Sequence, residues 1–270
     1  MAQKLLLYIR YDGSHFCGYQ AQKNGYSVQQ ALNEGTAALF GHPCDITGCS
    51  RTDSGVHANM FCATVTAHGC DCLDTTIPVE RIPRALNIRL PDALAAYRAM
   101  WVPTDFHARY SVSSKEYVYR ILNTVDRDPF EHRRAWHYPR PISEDELEAM
   151  KKAAQGFVGK RDFAACMASG SKVVSTVRHV MEADVESTPV RDGRLITFRV
   201  RADGFLYNMV RIMAGTLMEV AEGHIPPESI PARLDSLDRA SFGRTAPADG
   251  LYLNRVFYND PDKEGYHAEI

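Results

Sequence analysis

Residues 4–12 (KLLLYIRYD) place Leu5, Leu7 and Ile9 on one face of an extended chain and Leu6 and Tyr8 on the other. Successive side chains of a strand point to opposite faces, so a run apolar on both is a central strand with neighbours at its two edges. Candidate neighbours are spread along the chain, at residues 44–49, 57–66, 93–102, 115–123, 173–186, 195–202 and 251–258. Helices alternate with them. Ser27-Val28-Gln29-Gln30 reads as a capping box opening a helix that runs to about residue 40, where Gly41 stops it. Ser143-Glu144-Asp145-Glu146 opens another, with an apolar stripe of Leu147, Met150, Ala154 and Phe157. Residues 207–222 form the most apolar helix, with Arg211 inside it; an arginine buried among apolar side chains is costly without an anionic partner. Residues 226–237 read as a short helix and 78–87 as another, its later turns unsettled by Pro83. The fold class expected is α+β: two α/β halves, residues 1–107 and 108–270, with mixed, largely antiparallel sheets.

Net charge is −2 over 270 residues, so a nucleic-acid partner has to be argued from local clusters. Arg81, Arg84 and Arg89 make one such cluster, and Arg199 and Arg201 share a strand face. The seven cysteines are odd in number and without a regular framework, which fits reduced thiols and the cytoplasm. His42-Pro43-Cys44 and Cys70-Asp71-Cys72 lack a Cys-x-x-Cys partner, so no metal is expected. The first apolar run is too short for a signal peptide, and no run reaches the roughly 18 residues of a membrane span.

The chemistry concentrates in residues 48–58, where a polar run from Ser50 to Ser54 separates two strand-like segments. An arginine and a carboxylate side by side are not what a plain turn requires, and loops held on rigid strands commonly carry function. Asp53 reads either as a turn cap or as a nucleophile or base, and Arg51 as a solvated charge or a substrate contact. Tyr117 on its strand is core or functional, and Arg211 a structural or a functional cation. His57, opening an apolar strand, reads as structural. A carboxylate beside arginine stays ionised and points away from a metal site. A non-catalytic RNA-binding protein and a metal hydrolase using Asp53 and His57 are the competing readings. Residues 11–20 (YDGSHFCGYQ) read as a glycine-bearing loop, equally open to a plain structural role.

Arg51-Thr52-Asp53-Ser54-Gly55-Val56-His57-Ala58 resembles the signature of the tRNA pseudouridine synthase A family. Tyr11-Asp12-Gly13-Ser14, Gly18-Tyr19-Gln20, Ala85-Leu86-Asn87, Phe106-His107-Ala108-Arg109, Lys115-Glu116-Tyr117-Val118-Tyr119 and Gly204 to Arg211 resemble further family segments in the same order. The resemblance implies an isomerase without a cofactor, converting uridine to pseudouridine at positions 38 to 40 of the tRNA anticodon stem-loop. It implies a homodimer, and two halves whose sheets meet at a basic cleft with helices outside. Asp53 matches the catalytic aspartate, Tyr117 the tyrosine that stacks on the target base, Arg211 the arginine paired with the carboxylate and Arg51 a base-holding arginine. Arg84 and Arg201 are expected at tRNA phosphates. The chain departs from the family pattern at Ser50 (usually glycine), Ser54 (usually alanine), Tyr19 (usually tryptophan) and Asn59-Met60-Phe61.

Overall fold

The structure, a computed structural model, describes residues 2–258 apart from 24 and 171–172. Its contacts divide the chain into two compact units, one of residues 1–113 together with the chain from Leu253 on, the other Ser114–Tyr252.

The first unit is built on β1 (Gln3–Tyr11). Leu5, Leu6, Leu7, Tyr8 and Ile9 have no exposed surface, and each buried aliphatic side chain of this kind contributes about 1.5–3 kcal/mol. Both edges of β1 are paired, to β3 (His57–Ala67; Leu7 opposite Ala63) and to β4 (Leu94–Pro103; Leu7 opposite Ala99), so it is the internal strand its pattern predicts. Antiparallel β2 (Cys44–Gly48) also pairs with β3. The last strand, β10 (Leu251–Tyr258), lies beside β3. There Val256 N–H reaches Met60 Sδ at 3.5 Å, and Asn59 donates to Asn254 at 2.8 Å.

Helix α1 (Val28–Phe40) packs against β2 and buries Val28, Ala31 and Leu32. Ser27 accepts from Gln30 N–H as a capping box requires, but the Gln30 side chain turns to Glu34 instead, so the box is half made. Gly41 closes the helix at φ +78°, the left-handed stop expected. In the 78–87 region a single turn precedes α2 (Ile82–Asn87), with Pro83 in its first turn. A missing N–H costs nothing there, so the proline starts the helix instead of disturbing its later turns.

The second unit orders its strands β5 (Val112–Thr124), β9 (Gly193–Ala202), β8 (Val177–Val190) and β7 (Gly159–Asp162), all antiparallel. Short β6 (Trp136–His137) runs parallel to β5. Helix α3 (Glu144–Gln155), with its Ser143/Glu146 capping box complete, packs on β8 and on α4 (Met209–Ala221). Every residue of α4 is buried except Arg211 and Glu219. Arg211 is therefore not enclosed by apolar neighbours as its sequence context suggests: it sits in the first turn, partly exposed. The short helix expected at 226–237 is α5 (Ile230–Asp235), preceded by a single tight turn. The architecture is α+β with mixed, mostly antiparallel strands, as the pattern predicts. The break between units falls at Ser113/Ser114, six residues beyond the expected boundary at 107/108. Leu253–Tyr258 groups with the first unit, where a division into 1–107 and 108–270 would leave it in the second.

Candidate active site

Asp53 lies in the connection between β2 and β3, and that connection is tethered from both sides. At its start Cys49 N–H donates to the Cys62 carbonyl at 2.8 Å. Thr52 Oγ1 shares a hydrogen bond with the Tyr11 hydroxyl at 2.8 Å, and its carbonyl accepts from Tyr19 N–H at 3.1 Å. Val56 N–H donates back to the Asp53 carbonyl at 3.2 Å, making a tight turn through Ser54 and Gly55, the latter at φ +82°. Ser54 Oγ reaches the Phe16 carbonyl at 3.4 Å. Most of these tethers end on residues 11–19, which defines the role of that glycine-bearing loop: it is the cradle of the Asp53 turn. Gly18, at φ +102°, lets the two loops touch, since a Cβ there would lie 2.7 Å from the Thr52 carbonyl oxygen.

His57 completes the cradle. It is 2% exposed, and its Nδ1 lies 3.1 Å from Gly13 N–H and 3.2 Å from Asp12 Oδ1. That nitrogen serves either as acceptor for the amide or as donor to the carboxylate. Burial pushes the Asp12 carboxyl up, but the hydrogen bonds from Ser14 and the charges of His57 and His15 outweigh it and hold Asp12 below the usual carboxylate range. The ring pins the cradle to the start of β3, a structural role.

In the second unit, Tyr117 stands on β5 opposite Val200, 7% exposed, its ring edge-on to Phe205 at 4.9 Å. Phe205 belongs to the segment leading into α4, where Asn208 holds a left-handed φ of +59°. Arg211 Nη1 donates to Asn208 Oδ1 at 2.9 Å and Nε to the Ala246 carbonyl at 2.7 Å. A cation in the first turn opposes the helix dipole by roughly 0.3–1 kcal/mol, so these two bonds hold the guanidinium where a nearby anion would be favoured. Arg201 is engaged within its unit, with Ser114 Oγ at 3.0 Å and Glu182 at 3.3 Å. Arg199 lies 3.5 Å from Glu186. Arg84 is exposed on α2.

Arg51, exposed, lines an open groove of about 290 Å³ in the first unit with Tyr19, Gln20, Ser50, His107, Arg109 and Tyr110. His107 and Arg109, from the Phe106-His107-Ala108-Arg109 segment that resembles the family, and Tyr110 beside them line this groove. The loop is anchored by Tyr258, whose hydroxyl donates to the Ala108 carbonyl at 2.8 Å. His107 Nδ1 accepts from the N–H groups of Arg109 and Tyr110 at 3.1 and 3.3 Å. Burial, then the positive charges of Lys4 and Arg109, holds this imidazole below its ordinary 6.5. The native loop prefers neutral His107, so its contribution is complete above 6.5 and lost as pH falls through the lowered native value. An NMR titration should show the Arg109 and Tyr110 amides shifting with a His107 midpoint below 6.5; a midpoint above it would show that the imidazole does not hold this loop.

Tyr19 borders the groove on the inner side, stacked on Phe61 with ring centroids 4.4 Å apart. Burial pushes its phenol far above the ordinary range, so the hydroxyl is neutral throughout the working range. Its oxygen has no hydrogen-bond partner among the described residues. A buried unmatched hydroxyl costs about 1–3 kcal/mol. Tyr19→Phe should therefore stabilise the free protein by about 1 kcal/mol, read as a higher urea midpoint at constant slope. A lower midpoint would show that the hydroxyl is satisfied.

One group among the described residues, Glu219, Glu222 and His224, is close enough to share a cation. Arg244 already faces both carboxylates, at 3.4 and 2.5 Å, and Tyr138 donates to Glu222 at 2.8 Å. A second positive charge would have to displace that arginine.

The family model described as tRNA pseudouridine synthase matches residues 7–111 and 153–259, most of the chain and all of the Asp53 cradle. The chain belongs to the tRNA pseudouridine synthase family. It is, with that family, an isomerase. Among similar curated proteins, the tRNA pseudouridine synthase A of Clostridium acetobutylicum is 38% identical over 252 residues, covering 93% of this chain and 98% of its own. That of Ruminiclostridium cellulolyticum is 40% identical over 256 residues (95% and 100%), and that of Syntrophotalea carbinolica 41% over 257 (95% and 96%). No helix among the described residues is long and apolar enough to cross a membrane.

Proposed function

We propose that this protein isomerises uridine to pseudouridine at positions 38 to 40 of the tRNA anticodon stem-loop, with Asp53 as its catalytic carboxylate. The N1–C1′ bond breaks, the uracil turns while held, and C5 bonds to C1′; the C5 proton leaves as N1 gains one. Nothing is oxidised and no group is acquired, so the reaction balances without a cofactor. The observation that carries the reading is the family match running through the Asp53 turn and its cradle. In this reading Asp53 supplies the ionised carboxylate as nucleophile or base, Tyr117 stacks on the target base, Arg211 holds the carboxylate ionised, and Arg51 keeps the extruded nucleotide out of its helix. Base extrusion costs roughly a few kcal/mol, and stacking on an aromatic face returns about 1–3. Arg84 and Arg201 contact phosphates, Arg201 by exchanging its Glu182 partner for the RNA. The working form is a cytoplasmic homodimer. Tritium release from tRNA labelled at uracil C5, followed by mapping of the modified positions, tests the proposal. Release with pseudouridine at 38 to 40 supports it; pseudouridine elsewhere in the tRNA would overturn the site assignment, and no release would overturn the activity.

A further inference from the structure

The groove beside Arg51 is not needed to hold the target uracil in the reading above, yet it is furnished as a nucleotide site. Its volume of about 290 Å³ is at the lower end of the roughly 300–1,000 Å³ of small-ligand clefts, the size of one nucleotide and far too small for a duplex. Tyr110 is 77% exposed, a large aromatic side chain left in solvent. Its ring lies 4.3 Å from that of His107 at 37°, and the Arg109 guanidinium lies 5.9 Å from its centroid. The backbone beneath is fixed by the Tyr258 and His107 hydrogen bonds, so this surface is preorganised. Arg51 and Arg109 place two cations on the lining, to which Tyr19 also contributes. Aromatic faces beside arginines are the elements by which proteins hold unstacked nucleotides.

We infer that this groove binds a second, unpaired nucleotide of the RNA, one flanking the target uridine, with its base on Tyr110 and its phosphate between Arg51 and Arg109. The inference rests on the RNA-modifying reading above and adds a specificity subsite to it. The subsite recognises an unstacked base beside the target, so it favours loops and loop-closing positions over the middle of a stem.

The test uses the full chain with transcribed anticodon-arm RNAs, each carrying one abasic nucleotide in turn. Tyr110→Ala should weaken Kd for the intact RNA about tenfold and raise KM in step, with kcat changed less than threefold, and Tyr110→Phe should restore it. Arg109→Ala should reduce the slope of log Kd against log salt by about one. On wild-type protein one abasic position next to the target should cost the same factor as Tyr110→Ala, and combining the two should cost no more than either alone. An active wild type whose Kd is unmoved by Tyr110→Ala, or abasic losses that add to it at every position, overturns the subsite and leaves the activity standing. A wild type that forms no pseudouridine overturns the activity itself, and the subsite with it.

Discussion

Replacing Asp53 with alanine is expected to slow pseudouridine formation on the order of 10³-fold or more, while the protein remains folded and still binds tRNA. The basis is the division of labour in the turn. Thr52, Ser54 and His57 and the main chain supply bonds that fasten it to the cradle. Asp53 is only partly buried and its carboxylate takes no part in these bonds, so truncating the side chain leaves them intact. Asp53→Asn is the sharper variant, since it keeps the shape and one acceptor oxygen while removing the charge. Tritium release at single turnover, with tRNA saturating, reads the chemical step. A wild-type rate in either variant would remove Asp53 from the mechanism.

Arg211→Met is expected to cost about a hundredfold in kcat and to change the pH dependence as well. A guanidinium beside a carboxylate lowers its pKa by roughly 1–3 units. If Arg211 is the partner proposed for the Asp53 carboxylate, its loss raises the carboxylate's pKa, so the acid limb of the rate profile should move up by about that amount. Activity then falls first in acid and is partly recovered as pH rises. Arg211→Lys keeps the charge but not the planar fork that bonds Asn208 and Ala246 together. It should hold the acid limb near the wild-type position while still losing rate. An acid limb unmoved in Arg211→Met would sink the pairing of this arginine with the catalytic carboxylate.

How much of this was legible in the sequence follows the range of the forces involved. The β1 strand, the Gly41 stop and the Ser143 capping box are set by neighbours within a few residues, and each lies where the pattern puts it. Gln30 was read as a capping partner, but its amide finds Glu34 one turn along the helix, a competitor the four-residue box does not contain. Arg211 reads from its apolar segment as costly to bury without an anionic partner; where a helix begins relative to a charge decides its exposure, and α4 begins two residues before it. The Asp53 turn was visible as an odd polar run, whereas its cradle was not, because hydrogen bonds from Tyr11, Gly13 and Tyr19 connect segments some forty residues away. The groove is more distant still, assembled from residues 19–20, α1, β2, residues 50–51 and the 107–110 loop. Its local traces were Arg51 in the polar run and the His107 and Arg109 of a family segment, while the exposed ring of Tyr110 left no pattern in the sequence.

The placement of β10 has a consequence for the way this protein comes to life. The sheet that bears the Asp53 turn lacks one of its strands until residues 251–258 are available, after all of the second unit has been made. Met60, on the strand that leads away from the turn, and Tyr258, which fixes the groove's loop, meet their partners only then. During synthesis on the ribosome, therefore, the segment bearing Asp53 emerges early but cannot mature early. A nascent chain stalled anywhere before the last strand would carry the Asp53 sequence without a finished sheet to hold it, and so would be silent toward the RNAs crowded around it.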